Sequence, residues 1–339
     1  MSGIEDVALR AGVSKATVSR ALSGRGYVST ITRSRVETAA NELGYVVSSN
    51  ASSLVTGRTN NVGVIIPVIN QWFFGSIIEG VERALLDRGY DLMLYNLTKN
   101  TEARSRVFEY FLVRKRVDAV IAVGIALTRS EVGLLHGLKK PIVGIGGDIE
   151  GISTLSIDDV ASSRLATEHI IGLGHTRIMH LGGDQDEQMD FSVHAHRLAG
   201  YRAALAEAGI SQDDDFRSTH FSIPGGFEAG LAVLADPRSR PTAVVAGCDE
   251  IAIGVILAAR QLGIQVPQQL SVVGIDDHAL SEMFGLTTIR QEPGNQGALA
   301  VDLVMQELAD PSEEWRSRAL RVDVTMQVRS STTAPPTSA

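Results

Sequence analysis

The sequence predicts an α/β protein that has a small helical N-terminal head and a larger body built on parallel sheets. Three short amphipathic helical patterns fall within the first 45 residues. Over residues 60–330, β-rich runs such as 62–66 and 271–275 alternate with helical patterns. This alternation is typical of parallel sheets covered by helices, and the body is long enough for two such lobes.

The composition is that of an ordinary globular protein. Of 339 residues, 44% are hydrophobic and 21% are charged, which excludes a largely disordered chain. No apolar run approaches the roughly 20 residues that a membrane span needs, and the N-terminus lacks the pattern of a secretory signal. The single cysteine, Cys248, excludes an intrachain disulfide framework and a multi-cysteine zinc site. We therefore expect a cytoplasmic protein without membrane association or a bound metal.

Charge is distributed unevenly along the chain. Residues 1–60 contain seven Lys and Arg against four Asp and Glu, whereas the remaining residues contain 24 basic and 35 acidic side chains. An acidic body with a basic head suggests that only the head approaches a polyanion. Such a small surplus of positive charge also arises by chance, so the residue pattern of the head must decide.

The first two helical patterns of the head are joined by a short glycine-containing turn. Apolar residues recur at helical spacing over 4–11, and Gly12 follows, where a left-handed residue ends a helix at little cost. Ser14 is a good N-cap for a second helix over 15–22, and a third pattern covers 32–43. Two short helices with a tight turn describe a helix-turn-helix, whose second helix enters the major groove of DNA. The alternative is a generic three-helix bundle.

The order of residues in the head resembles the DNA-binding head of the lactose-repressor (LacI) family of transcription regulators. The resemblance rests on Ile4-Glu5-Asp6-Val7-Ala8, on Ala11-Gly12-Val13-Ser14-Lys15-Ala16-Thr17-Val18-Ser19-Arg20, on Val28-Ser29, Thr32-Arg33, Val36 and Glu42-Leu43-Gly44-Tyr45, and on Ala51, Ser53, Leu54 and Gly57. It implies a DNA-binding head over residues 1–58.

The resemblance assigns two groups of DNA contacts to the head. The residues that face base edges would be Lys15, Ala16 and Arg20. Their chemistry agrees, because Arg pairs with guanine and Ala packs on a thymine methyl group. The residues that contact phosphates, and so orient the head without reading sequence, would be Thr17, Ser19 and Thr32.

The resemblance also implies a hinge helix at about 48–56. In the family this segment is disordered alone and becomes helical on operator DNA, where a leucine wedges into the minor groove and kinks the duplex. Leu54 matches that leucine, and Ser48 is a plausible helix cap. The alternative for Leu54 is a linker residue packed on its own body.

For the body, residues 60–330, the resemblance implies the two-lobed fold of periplasmic sugar-binding proteins, with three chain crossings. We place these crossings near Asp158-Asp159, Thr288-Ile289 and Leu320-Arg321. The first lobe would comprise about 60–158 and 289–320, and the second about 159–288 and 321–330. We expect the tail, residues 331–339, which contains Pro335-Pro336, to be disordered.

Polar and aromatic side chains follow several predicted strands of the body, where ligands of open parallel sheets bind. Trp72 and Phe73 follow the first strand, and Asp249 and Asp276 follow two later strands. Aromatic faces together with carboxylates suit a polyhydroxyl ligand. These aspartates could equally be helix N-caps, which are common after strands.

The resemblance extends to residues that hold the small-molecule effector in this family. Arg197 begins the family's Arg-x-x-Gly-Tyr pattern, and a guanidinium can clamp two ligand oxygens at once. Asp276 is the first aspartate of the family's Gly-x-Asp-Asp pattern. We expect effector contacts from Arg197 and Asp276 first, and then from Asp249, Phe73, Trp72 and Phe221.

Motifs typical of enzymes are missing from the sequence. It has no Gly-x-Gly-x-x-Gly after the first strand, no Gly-Lys-Ser/Thr phosphate loop, no Gly-x-Ser-x-Gly elbow and no His-Glu-x-x-His. We therefore expect no enzymatic activity and no cofactor; the alternative is an NAD- or phosphate-dependent enzyme. A secreted sugar-binding protein would share the body but would have no use for residues 1–58.

Together these observations predict a homodimeric repressor that binds a pseudo-palindromic operator in double-stranded DNA and is released by a small molecule. The expected effector is a sugar. The dimer follows from the symmetry of DNA, because each head reads one half-site. The alternative within the family is a corepressor-type regulator, whose DNA binding is tightened by a ligand or a partner protein.

Overall fold

The chain separates into two units, which are described one at a time. The first comprises Met1–Asn61 and Lys115–Asp118, and the second comprises Val62–Arg114 and Ala119–Ala339. The structure is a computed structural model. It describes residues 3–23, 26–45, 58–97, 101–108, 116–137, 139–184, 192–211, 213, 215–309 and 317–336.

The first unit contains three helices that pack around a small apolar core. They are α1 (Ile4–Ala11), α2 (Lys15–Ser23) and α3 (Thr30–Glu42). Val7, Val18 and Val36, one from each helix, are fully buried against one another. The order of helices predicted for the helix-turn-helix and the third helix is confirmed.

The ends of the head helices follow the predicted caps, with one difference. Gly12 ends α1 with a left-handed φ of 64°, and the hydroxyl of Ser14 accepts a hydrogen bond from the Thr17 amide at 3.2 Å. The third helix begins two residues earlier than its apolar pattern suggested. The reason is that Ser29 caps it by accepting a hydrogen bond from the Thr32 amide.

The second unit alternates strands and helices almost throughout. Its elements, in chain order, are β1 (Asn61–Ile66), α4 (Trp72–Leu86), β2 (Asp91–Asn96), α5 (Thr101–Arg106), β3 (Ala119–Val123), α6 (Arg129–Gly137), β4 (Ile142–Ile145), β5 (Ser153–Ser156), α7 (Asp159–Gly172), β6 (Ile178–Gly182), α8 (Val193–Glu207), β7 (Phe216–Ser218), α9 (Ile223–Leu234), β8 (Ala243–Ala246), α10 (Asp249–Gln261), β9 (Ser271–Asp276), β10 (Thr287–Arg290), α11 (Pro293–Ala309), β11 (Ala319–Arg321) and β12 (Thr325–Gln327).

These strands form two six-stranded sheets, one in each lobe. The first has the order β11-β5-β4-β3-β1-β2, and the second has the order β12-β10-β9-β8-β6-β7. Pairing is parallel for β1–β3, β3–β4, β4–β5, β5–β11, β6–β7, β6–β8, β8–β9 and β9–β10, whereas β10 and β12 are antiparallel. Strands β3, β4, β6 and β8 are buried along their whole length, as expected for strands covered on both faces.

Helices α4 and α11 cover the first sheet and approach each other through glycine. A Cβ placed on Gly80 would lie 2.0 Å from the carbonyl oxygen of Gly294, so only glycine allows this approach. The second sheet carries a separate apolar cluster on each face, one around Ile251 and Val255 of α10 and the other around Tyr201 of α8.

The chain passes between the lobes after β5, after β10 and after β11. Strand β10 continues to Arg290 because Ile289 is buried and pairs with Ile275 of β9, and β11 continues to Arg321. The last two crossings therefore fall at 291–292 and 322–324, a few residues later than the expected positions near Thr288-Ile289 and Leu320-Arg321.

The expectation of a disordered tail is wrong for residues 331–336. Ser331 is buried: its carbonyl oxygen accepts a hydrogen bond from the Val272 amide and its hydroxyl donates to the Val272 carbonyl. The Thr333 amide donates to the Ser271 hydroxyl. The tail is thus held by hydrogen bonds to the start of β9, which its Pro335-Pro336 pair does not prevent. Residues 337–339 lie outside the described residues.

Candidate functional site

The exposed face of α2 carries most of the predicted DNA contacts. Lys15, Ala16, Ser19 and Arg20 are exposed, whereas Val18 between them is buried in the head core. Helix α2 therefore presents one polar face while its apolar face holds it against α1 and α3.

Several of these side chains have partners within the head. The ammonium of Lys15 forms an ion pair with Glu5 of α1, and the guanidinium of Arg20 donates to the Ala16 carbonyl at 3.1 Å. Thr17 and Thr32 are half-buried, and each hydroxyl lies 2.9 Å from the hydroxyl of a serine at its helix start. Both threonines thus take part in capping as well as lying near the surface.

The hinge helix and two exposed apolar residues of the head differ in how far sequence and structure describe them. The hinge helix, with Ser48 and Leu54, lies outside the described residues. Tyr27 and Ile31, which sequence reasoning missed, are 92% and 81% exposed. The only sequence signal for them is that Tyr27 precedes α3 and that Ile31 falls outside the apolar face of this helix.

In the body, Arg197 of α8 forms a buried ion pair. Its Nε donates to Oδ1 of Asp159, the first residue of α7, at 2.8 Å, and its Nη1 donates to the Gly247 carbonyl after β8. Only 6% of the Arg197 side chain and 8% of the Asp159 side chain are exposed. Burial by itself would lower the pKa of Arg197, but the carboxylates of Asp159 and Asp276 raise it above its ordinary value.

Asp276 lies at the end of β9, close enough to Arg197 for their charges to interact. Its backbone has a φ of 132°, which side-chain-bearing residues rarely adopt, and its Oδ1 accepts a hydrogen bond from Nε2 of Gln291 at 2.6 Å. Burial raises the pKa of Asp276 to about 7, the Arg197 guanidinium lowers it, and Asp249 raises it. Gln291, which lies at a lobe crossing, therefore helps to fix this carboxyl group.

Asp249, which the sequence predicts as an effector contact, has three hydrogen-bond donors within the protein. It is fully buried at the start of α10. Its carboxylate accepts hydrogen bonds from the His278 amide at 2.8 Å and from the hydroxyls of Ser281 and Thr288, each at 2.6 Å. Burial raises the pKa of Asp249 to about 6. Its role in the structure is to hold the turn that follows Asp276.

Two of the predicted aromatic residues, Trp72 and Phe221, lie where the two lobes meet. The rings of Trp72 and His278 are 4.8 Å apart, which joins the start of α4 to the turn after β9. Phe221 has its ring 4.3 Å from that of His194, and its carbonyl accepts a hydrogen bond from Nε2 of Gln71 at 2.9 Å. A Cβ placed on Gly247, whose carbonyl binds Arg197, would lie 3.1 Å from the Phe221 ring.

Phe73 differs from the other predicted aromatic residues. It packs edge-on against Phe74, with 5.4 Å between the ring centroids, and contacts the core of the first lobe. The structure therefore brings Arg197 and Phe221 together at Gly247, with Asp276 close enough to Arg197 for their charges to interact and Trp72 on the facing lobe. Part of Phe73 belongs to the lobe core.

Comparisons with known proteins agree on both parts of the chain. Residues 3–48 match the bacterial regulatory proteins of the lacI family, and residues 167–332 match a periplasmic binding protein-like domain. The chain is 34% identical over 318 residues to the ribose operon repressor of Escherichia coli (strain K12), covering 92% of this chain and 94% of that protein. The chain belongs to the LacI family of transcription regulators.

Solved structures of the LacI family are also similar over most of the chain. The lac repressor dimer bound to operator and the anti-inducer ONPF is 26% identical, with a TM-score of 0.85, and covers 98% of this chain and 99% of its own. A LacI-family regulator from Enterococcus faecium with bound ribose is 25% identical, with a TM-score of 0.71, covering 81% of this chain and 99% of its own. The chain is thus a DNA-binding transcription regulator with the fold that its sequence predicted.

The structure of this LacI-family regulator adds residues that sequence reasoning did not place in the site. They are Asp159, Gln291, Gln71 and His278, which contact Arg197, Asp276, Phe221 and Trp72 respectively. Each pair is separated by many residues along the chain or by a lobe crossing, so no local pattern links its members.

Within the described ranges, no three His, Cys, Asp or Glu side chains come together in a way that could hold a metal ion. None of the helices that the structure describes has the length and apolar character required to cross a bilayer.

Proposed function

We propose that this chain is a repressor that binds a two-fold symmetric operator as a homodimer and dissociates from it when a sugar binds to the body. The observation that carries the proposal is the exposed polar face of α2, a helix whose buried residues Val18 and Ala21 lie in the apolar core of the head. Such a face fits the major groove, and a dimer places two of these helices on two half-sites.

The DNA contacts in this proposal divide by chemistry. Arg20, Lys15 and Ala16 meet base edges, where a guanidinium can pair with guanine and a methyl group can pack on thymine. Thr17, Ser19 and Thr32 donate to phosphates, which fixes the register of the head. Leu54 of the hinge enters the minor groove and kinks the duplex.

The effector in this proposal lies beyond the ends of β6, β8 and β9. Arg197 and Asp276 supply a donor and an acceptor for hydroxyl groups, and Trp72 and Phe221 supply apolar faces for the sugar ring. Two similar proteins support a sugar as the effector. One is a ribose operon repressor, and the other is a LacI-family regulator whose structure contains bound ribose.

Release of the operator follows from the contacts between the lobes. The Gln71–Phe221 hydrogen bond and the Trp72–His278 ring contact join the lobes beside the proposed effector site. A ligand that binds better when the lobes are in one arrangement shifts the equilibrium toward that arrangement. The protein performs no chemistry in this scheme; it acts in the cytoplasm, where the DNA is accessible.

The proposal is tested by selecting genomic fragments on the purified full-length protein in the presence of random competitor duplex. We expect a two-fold symmetric sequence to be enriched, and then released by a sugar identified in a thermal-shift screen of sugars and nucleosides. Enrichment that increases with the ligand would indicate a corepressor-type regulator instead. Absence of any sequence preference, with or without ligands, would contradict the proposal.

A further inference from the structure

The charge of Arg197 is already compensated before any ligand binds. Its Nε lies 2.8 Å from Oδ1 of Asp159, and both side chains are nearly inaccessible to water. Charge-assisted hydrogen bonds of this kind are stronger than neutral ones, and they are little screened when buried. An anionic ligand at this site would therefore compete with the Asp159 carboxylate for the same guanidinium.

Acidic groups outnumber basic ones around Arg197. Among the described residues, Arg197 is the only Lys or Arg that is buried. The carboxyl groups of Asp159, Asp276 and Asp249 are all buried, and the charge of Asp249 acts on Asp276. Another negative charge brought to this region would face these carboxyl groups with no second buried cation in the described part of the chain to balance it.

The remaining hydrogen-bonding capacity suits hydroxyl groups. Arg197 uses two of its five N–H donors, on Asp159 and on the Gly247 carbonyl. Asp276 offers carboxyl oxygens, one of which already accepts from Gln291. A hydroxyl group can accept from Arg197 and donate to Asp276, whereas a phosphate dianion or a carboxylate can only accept.

We propose that Asp159 sets the charge of the effector, so that this regulator takes an uncharged sugar or polyol and rejects sugar phosphates and sugar acids. This inference rests on the proposed effector site and adds its selectivity. Asp159 is thus a positioning and specificity residue, because this carboxylate acts on the effector through the guanidinium of Arg197.

The test compares two neighbouring substitutions that remove the same charge. Asp159→Asn removes the carboxylate charge that is hydrogen-bonded to Arg197. Asp158→Asn is the matched control, because Asp158 caps α7 by accepting a hydrogen bond from the Ala161 amide at 2.9 Å, and Asn caps helices equally well. The probe is inorganic phosphate at constant ionic strength, with binding to the full-length proteins measured by thermal shift and titration calorimetry.

We expect D159N to bind phosphate at least about tenfold more tightly than the wild type. The reason is that phosphate can form with Arg197 the charge-assisted hydrogen bond that the guanidinium loses when the Asp159 carboxylate is removed. The wild type and D158N should behave alike. Equal phosphate affinity in all three proteins, or tight binding by the wild type, would overturn the inference.

A second measurement covers the case in which D159N does not fold. Wild-type protein is titrated with D-ribose and D-ribose 5-phosphate, and with D-glucose and D-gluconate. Failure of the anionic member of each pair to bind supports the inference, and tighter binding by an anionic member overturns it. Fragment selection on the same preparation tests DNA binding separately, so that failure of the charge argument and failure of the proposed function are distinguished.

Discussion

Replacing Asp249 with alanine should destabilise the second lobe through the loss of one acceptor shared by three donors. The His278 amide and the hydroxyls of Ser281 and Thr288 all bond to this carboxylate. Buried donors left without an acceptor cost about 1–3 kcal/mol each, or roughly 3–5 kcal/mol for this group after relaxation. Part of the loss is offset, because burial already disfavours the charged carboxylate and raises its pKa to about 6. Each unit of pKa corresponds to about 1.4 kcal/mol, so the rise from 3.8 offsets about 3 kcal/mol and we expect a net loss of up to about 2 kcal/mol at neutral pH.

The loss can be measured by thermal unfolding of the full-length protein. A net change of about 2 kcal/mol lowers the melting temperature by about 4–8 °C for a lobe of this size. The matched control is Glu250→Ala, a neighbouring acid that does not take part in the Asp249 hydrogen bonds and should change the melting temperature much less. If both variants melt at the same temperature, the carboxylate does not hold the turn after Asp276.

Three further outcomes follow from the described contacts. Arg20→Ala should relax base preference at one operator position, at a cost of about 1–3 kcal/mol in binding free energy; uniform weakening across all positions would show that Arg20 contacts only phosphate. Truncation after Ser330 removes the Ser331 hydrogen bonds to Val272 and should lower the melting temperature of the second lobe, whereas an unchanged melting temperature would contradict the bound tail. Burial raises the folded-state pKa of Asp276 from 3.8 to about 7, so the folded protein binds this proton more tightly than the unfolded chain. The free energy of unfolding of the wild type should therefore fall relative to that of Asp276→Asn as pH rises from 4 to above 7. A pH-independent difference would refute the burial of that carboxyl group.

The sequence was most informative where structure depends on neighbouring residues. Gly12, Ser14 and the apolar spacing of the head act within a few residues of the chain, so the order of its helices could be predicted from local pattern. The alternation of strands and helices predicted two parallel sheets for the same reason. The start of α3 was misplaced by two residues because Ser29 competes with the apolar pattern as a cap.

The sequence was least informative where partners lie far apart in the chain. Nothing near Arg197 indicates that Asp159, 38 residues away, neutralises it. Asp249 matched a ligand-binding position, but its three donors come from residues 278, 281 and 288, which only the folded lobe brings together. The tail was predicted to be disordered because the sequence near it gives no sign of its hydrogen-bond partners. These partners lie far away in the chain, at the start of β9.

We expect DNA binding by the head to depend on a small molecule held by the body. It is tested most directly by fluorescence anisotropy of an enriched genomic fragment, titrated with the full-length protein at rising concentrations of the sugar that stabilises it. We expect the dissociation constant for that fragment to rise with sugar concentration while that for random duplex stays constant. Equal affinity for both duplexes, or an affinity for the enriched fragment that no sugar changes, would contradict the account.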